Sequence, residues 1–157
     1  MVELAIILPL LLFILFGITE LGRALYQQNI LTQAVALGGR YMARVEGAVN
    51  ADSCDIVDET KWAGAVAEAK NLIEFGCGIG DTTTGCEYPV LPNIIVDEPD
   101  VSPITSGAVS ACVITVKATA NFQSIFGDAG DVLVSLPGLH LDGVQLNATT
   151  QERYIGR

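Results

Sequence analysis

Four cysteines, Cys54, Cys77, Cys86 and Cys112, are the residues of this 157-residue chain with the clearest covalent chemistry. All four follow an apolar N-terminal segment, and none forms the C-x-x-C pair of zinc sites and thioredoxin-like motifs. An even number of cysteines beyond a membrane anchor is typical of two disulfides formed in an oxidising compartment. The sequence therefore predicts two disulfides, with buried free thiols as the alternative.

The pairing of these cysteines is restricted by a helix predicted between Cys54 and Cys77. That helix would be ~24 Å long, whereas the Cα atoms of a disulfide lie within ~7 Å of each other. A Cys54–Cys77 bond is disfavoured unless the flanking residues fold back. We predict a Cys77–Cys86 bond that closes a Gly/Thr-rich loop, and a long-range Cys54–Cys112 bond.

Acidic residues outnumber basic ones, 18 against 8, and the formal net charge is −10. Between Glu46 and Asp142 there are fifteen acids and three bases. No basic surface for nucleic acid is expected, and acids at this density keep a surface solvated. The alternative is a cation site in one of two acidic clusters, neither with EF-hand spacing. These clusters are Asp97, Glu98 and Asp100, and Asp128 and Asp131. We predict no metal site.

Groups for catalysis are few. The one histidine, His140, lies between two leucines and has no nucleophile and acid arranged around it in the sequence. No phosphate-binding loop or dinucleotide fingerprint is present. We therefore predict that the chain is not an enzyme and holds no cofactor.

The predicted elements begin with an apolar helix. The run from Leu4 to Thr19 is uncharged and would be ~24 Å long, slightly shorter than the ~30 Å hydrocarbon core of a bilayer. From Glu20 the pattern becomes amphipathic, and one helix is predicted from about Val2 to Arg44. The apolar positions of its second half are Leu21, Leu25, Leu31, Val35, Leu37 and Met42.

The rest of the chain predicts a small α+β head. A helix is expected at about 59–75, with Asp58 as its N-cap and Gly76 as its stop. Its core-facing stripe is Trp62, Val66, Ala69 and Ile73. Period-two alternation then predicts antiparallel strands at 94–96, 109–120 and 132–136, and a hairpin at Asp142-Gly143 that turns Val144, Leu146 and Ala148 inward. We divide the chain into an apolar helical segment at 1–20, an amphipathic continuation at 21–47 and a disulfide-bonded head at 48–157.

Several features of the first 44 residues occur together. Glu3 precedes the apolar run, Pro9 and Gly17 lie within it, and Glu20-Leu21-Gly22-Arg23 follows it. A helix dense in Ala and Gly then ends in basic residues. This pattern resembles TadE-like minor pilins, or pseudopilins, of the tight-adherence (Flp) type IV pilus system. The resemblance covers about the first quarter of the chain and is loose in the C-terminal strands.

The resemblance implies a pilin-like α+β fold and two successive locations in the cell. A precursor would enter the inner membrane, lose a leader to a prepilin peptidase, and pass through secretion machinery to a cell-surface pilus that serves adhesion. Family members usually carry their acidic residue at the fifth mature position, whereas Glu3 is third. Either the mature chain begins two residues before Met1, or its processing differs.

Seven residues of this helix are candidate assembly residues. Glu3 either pairs with the N-terminal amine of a neighbouring subunit or lies at the headgroups and favours the helix N-terminus. Pro9 removes one helical hydrogen bond, so it can kink or locally melt the helix. Glu20 and Arg23 are spaced to pair at the membrane edge. The other candidates are Gly17, Ala34 and Gly38.

Small residues allow helices to approach each other closely. Gly17, Gly22, Ala34 and Gly38 are expected to do so between subunits. Packing of Ala34 and Gly38 on the subunit's own sheet is the alternative.

We therefore expect a structural subunit of a tight-adherence pilus that assembles through its N-terminal helix with copies of itself or with other pilins. It would be a minor or a polymerising subunit, and the resemblance favours a minor one. The alternative is a membrane-tethered extracytoplasmic module whose acidic head binds a ligand or cation.

Overall fold

The fold is α+β, with one helix much longer than the other elements. The computed structural model describes residues 2–78, 90–91, 93–106, 109–124 and 144–156. The helices are α1 (Val2–Met42) and α2 (Glu59–Phe75), and the strands are β1 (Ile95–Val96), β2 (Asp100–Ser106), β3 (Val109–Asn121) and β4 (Gln145–Arg153). The predicted fold class, a long N-terminal helix with one further helix and an antiparallel sheet, is confirmed.

Strand β3 is the centre of the sheet, and all of its pairings are antiparallel. Strand β4 pairs with residues 113–121 along one edge of β3. Strands β2 and β1 follow each other along the opposite edge, where Asp100 pairs with Thr115 and Val96 with Ala118. The sheet therefore has a long central strand between a continuous edge strand and an interrupted one.

Helix α2 begins and ends where its sequence signals indicate. The Asp58 carboxylate accepts hydrogen bonds from the backbone N–H groups of Thr60 and Lys61, both at 3.0 Å. Gly76 has φ +75°, and its N–H donates to the Leu72 carbonyl. A left-handed residue at this position suits glycine, which has no Cβ to clash.

The core lies between the two helices and one face of the sheet. On β3 the residues of one face, from Cys112 to Ala120 at every second position, are buried, as the alternation predicts. Helix α1 contributes Leu31, Val35 and Met42, all fully buried, and α2 contributes Ile73. The stripe of α2 differs by one position, because Ala65 is buried while Val66 is only partly buried.

Two of the strand predictions differ from the structure. Strand β2 was not predicted. It contains Pro103, and its pairing explains how the proline fits. The Cys112 carbonyl accepts from the Tyr154 N–H, on the β4 side of β3. Pro103, opposite Cys112, therefore needs no N–H toward β3. Val144 is exposed rather than inward, whereas Leu146 and Ala148 are buried as predicted.

The strand predicted at 132–136 and the turn at Asp142-Gly143 lie outside the described residues.

The loop between α1 and α2 is fixed to the sheet by a covalent bond and by a buried tyrosine. The predicted Cys54–Cys112 disulfide is present, with its Cα atoms 5.3 Å apart. The Tyr154 hydroxyl donates to the Val45 carbonyl at 2.7 Å and accepts from the Val49 N–H at 3.4 Å. Cys86, the predicted partner of Cys77, lies outside the described residues, so that pairing stays a prediction.

Candidate functional site: the exposed surface of the N-terminal helix

The first half of α1 has an apolar surface that the described residues of the head do not cover. Every side chain described from Leu4 to Thr19 is exposed, and Leu4 is 71% exposed. Large apolar residues face out on all sides of these turns, among them Leu8, Leu11, Phe13, Ile14 and Leu15. A helix that is apolar all round and uncovered needs lipid or other helices around it.

Within the described residues, one helix is long and apolar enough to cross a membrane. The span lies in Ile7–Met42, and 6% of its most apolar window is buried. A core helix of a soluble protein would bury most of such a window. The exposure of this segment therefore fits membrane anchoring better than packing inside the chain.

Three predicted assembly residues lie on this exposed half. The backbone of Glu3 is in the first turn of α1, and Pro9 lies within the continuous helix. Because Pro9 has no N–H, the carbonyl four residues before it lacks its helical donor. A Cβ placed on Gly17 would meet nothing within 4 Å, so this glycine leaves open space for another helix.

From Glu20 onward one side of α1 faces the head, and Glu20 lies on that side. It is 8% exposed, although Thr19 and Leu21 beside it are exposed. Glu20 precedes buried Gln27 by seven residues and therefore shares the side of α1 that faces the head. Arg23 is half-buried, and none of the ion pairs among the described residues joins it to Glu20.

Ala34 and Gly38 are buried within the chain itself. A Cβ on Gly38 would lie 2.7 Å from the Ile73 side chain of α2, so a larger residue here would require Ile73 to shift. The alternative stated from the sequence was packing of Ala34 and Gly38 on the subunit's own sheet. The packing is indeed within the subunit, but Gly38 contacts α2 rather than the sheet. Gly39 contacts the sheet instead, because its Cβ would lie 2.5 Å from Thr150 of β4.

The second half of α1 is attached to the sheet by polar side chains that the sequence did not single out. Gln27, 6% exposed, donates from Nε2 to the Gln123 carbonyl at 3.1 Å, and its Oε1 accepts from the Gln123 N–H at 3.2 Å. Gln28 donates to the Asn147 carbonyl at 2.8 Å. The side-chain amide of Gln27 pairs with the backbone of Gln123 as a neighbouring strand would. In the sequence, this docking is indicated by two glutamines that lie four and three residues before buried Leu31.

Substituting Gln27 by alanine is therefore expected to lower the free energy of unfolding by about 1–2 kcal/mol, because Gln123 loses both of its partners. Gln28→Ala is the matched control, since it removes one bond at a more exposed site. Denaturant titration followed by the fluorescence of the single tryptophan, Trp62, measures both. Equal effects of the two variants would contradict the docking role of Gln27.

The apolar positions predicted for the second half of α1 divide between two faces. Leu31, Val35 and Met42 are buried, whereas Leu21, Leu25 and Leu37 are exposed. Ile18, Leu21 and Leu25 lie three and four residues apart and continue the exposed apolar surface past Glu20. The candidate assembly surface therefore extends from Leu4 to Leu25 on the side opposite the head.

The described residues show no group of His, Cys, Asp and Glu arranged to hold a metal ion. Asp97, Glu98 and Asp100 are all exposed on the interrupted edge strand. The second acidic cluster, Asp128 and Asp131, and the histidine, His140, lie outside the described residues.

Comparison with known proteins gives one match. Residues 1–40 match the family model described as TadE-like protein, so the resemblance predicted from these residues is confirmed over about a quarter of the chain. No curated protein and no solved structure was found to match. The matched residues include the whole exposed apolar half of α1 and part of its docked half. The match suggests a subunit associated with the tight-adherence pilus, and the exposed helix is compatible with membrane anchoring.

Proposed function

We propose that this chain is a structural subunit of a tight-adherence pilus, held first in the inner membrane and then among the helices of other pilin subunits. The observation that carries the proposal is the exposed apolar half of α1, continuous with a helix that is firmly docked on the head. Such a surface can be covered either by lipid or by the helices of a bundle. The match of residues 1–40 to the TadE-like family supports the same assignment.

Two features of α1 favour transfer from lipid to a helix bundle over permanent anchoring. The uncharged run is ~24 Å long, which is marginal for a bilayer of ~30 Å. Gly17 and Gly22 have open space around them, where a neighbouring helix can approach. A permanent tether requires neither feature.

Glu3→Ala tests the assembly role. If Glu3 pairs with the N-terminal amine of a neighbour, the variant should insert into the inner membrane normally but decrease at least about tenfold in filaments sheared from the cell surface, since an unpaired charge among apolar helices is costly. Glu46→Ala, which removes an exposed acid outside α1, is the control and should assemble normally. Normal surface assembly of Glu3→Ala would contradict this role of Glu3.

The resemblance favours a minor subunit, and we propose that role. Electron microscopy of the purified full-length protein separates the two possibilities. A regular filament of this chain alone would contradict a purely minor role. The absence of such a filament, with the protein found at the ends of filaments sheared from cells or sparsely among other pilins, would support it.

A further inference from the structure

Two surfaces of the protein, one at the end of α1 and one before α2, have complementary charge. The first is a groove beside the end of α1, lined by Leu37, Arg40, Tyr41, Arg44, Val45 and Leu72. Leu37 and Tyr41 are 46% and 39% exposed, and both arginines are exposed. Arg40 forms an ion pair with Glu152, Nε to Oε1 at 3.6 Å. Apolar and aromatic residues between arginines are the composition enriched in protein interfaces.

The second surface is the acidic loop, residues 52–59, immediately before and at the start of α2. Ile56 and Val57 are 42% and 66% exposed where the loop pairs with Ala48 and Val49, and Asp52, Asp55 and Glu59 are exposed in the same segment. Exposed β-branched residues in a segment with three exposed acids are complementary in charge to an apolar groove with an arginine rim.

The acidic loop is rigid rather than loosely exposed. Val49 and Ile56 form a β-bridge, and the Asn50 N–H donates to the Asp55 carbonyl at 2.9 Å. The Val57 N–H donates to the Ala48 carbonyl at 2.9 Å, and the disulfide from Cys54 to Cys112 fixes the loop to β3. A preorganised loop loses little entropy when it binds.

The loop of one molecule cannot enter the groove of the same molecule. The loop is held in place by the hydrogen bond from Val57 to Ala48, the bridge from Ile56 to Val49 and the disulfide of Cys54. Leu72 of the groove lies near the far end of α2, about 20 Å from Val57. We propose that the acidic loop of one copy docks into the arginine-rimmed groove of a second copy. Because the two surfaces differ, the contact is heterologous and can repeat along a filament.

This inference rests on the proposed assembly, because packing of α1 brings heads together at high effective concentration. The chain's own charge distribution favours a second copy over another partner. The acids are concentrated in the head, and two of the eight basic residues lie together at the groove.

Zero-length crosslinking of the full-length protein in detergent tests the contact. A carbodiimide condenses a lysine amine with a touching carboxylate to form an amide, and one water is lost. Arg44→Lys protein is prepared with light and with heavy nitrogen, and equal amounts are mixed. We expect mixed-isotope peptides that link position 44 to Asp52, Asp55 or Glu59. Lys117, exposed on the other face of the sheet, is the internal control and should not link to the loop.

A charge exchange supplies the second measurement. Arg44→Glu removes the amine at position 44, and Asp55→Lys made in the Arg44→Lys protein places two amines opposite each other, so neither protein should form links between positions 44 and 55. The double variant should restore them, now with the amine at position 55 and the carboxylate at position 44. Any of three results would overturn the proposal: links that join only peptides of the same isotope, links from position 44 to other regions, or no recovery of links in the double variant.

This result is independent of the Glu3 test. If position 44 fails to link to the loop while Glu3→Ala abolishes surface assembly, the head contact is wrong and the pilus assignment remains. If the link forms while Glu3→Ala assembles normally, the head contact remains and the role of Glu3 in assembly is wrong.

Discussion

Replacement of Cys54 and Cys112 together by serine is expected to lower the free energy of unfolding of the head by about 4 kcal/mol. The two residues are 58 apart in sequence. A disulfide that closes a loop of that length restricts the unfolded chain, and removing it stabilises the unfolded state by roughly this free energy. The bond also joins the acidic loop to the central strand, where Cys112 is 3% exposed. The loss should appear as a lower denaturation midpoint in Trp62 fluorescence, measured in mild detergent.

Ser53→Ala is the matched control, because Ser53 is an exposed neighbour in the same loop. It should change the free energy of unfolding by less than about 0.5 kcal/mol. A loss below about 1 kcal/mol for the cysteine variant would mean that hydrogen bonds and packing, rather than the covalent link, hold the acidic loop in place.

Leu11→Arg is expected to have the largest effect on the apolar half of α1. Leu11 is 57% exposed in the middle of the uncharged run, and a charge at the centre of a membrane helix costs about 3 kcal/mol. That corresponds to roughly a hundredfold change in the insertion equilibrium. The fraction of the protein that resists alkaline extraction from membranes measures the effect, and surface assembly should fall with it.

Asn29→Arg is a stringent control for this variant. Asn29 is exposed and lies about five helical turns after Leu11, on the same side of α1 but beyond the apolar surface. It should leave extraction and surface assembly unchanged. If both variants behave alike, the effect of Leu11→Arg is not specific to the apolar segment.

Local signals predicted the two helices and the central strand well. Helix α2 has the Asp58 cap and the Gly76 stop that its sequence indicates, and every second residue of β3 from Cys112 to Ala120 is buried, with Val113 buried as well. These elements are determined by neighbours in sequence, which is why a single sequence was sufficient. Strand β2 was not predicted, and its Pro103 argues against a strand unless the pairing partner is known.

Periodicity alone could not show which side of α1 packs against the head. Leu21, Leu25 and Leu31 have similar chemistry, yet only Leu31 faces the head. Which apolar stripe is covered depends on the position of the sheet, and that position depends on long-range contacts such as Gln27 with Gln123. For the same reason, the sequence suggested that Gly38 packs between subunits or on the sheet, whereas the structure places it against Ile73.

The central claim is that the apolar half of α1 contacts other pilin helices after it leaves the lipid. Photocrosslinking from Phe13, replaced by p-benzoylphenylalanine in cells that assemble pili, tests this claim most directly. We expect adducts to the N-terminal helix of a second copy or of another pilin in the sheared filament fraction. Adducts to lipid alone, with none to any pilin, would contradict it and favour a membrane-tethered module.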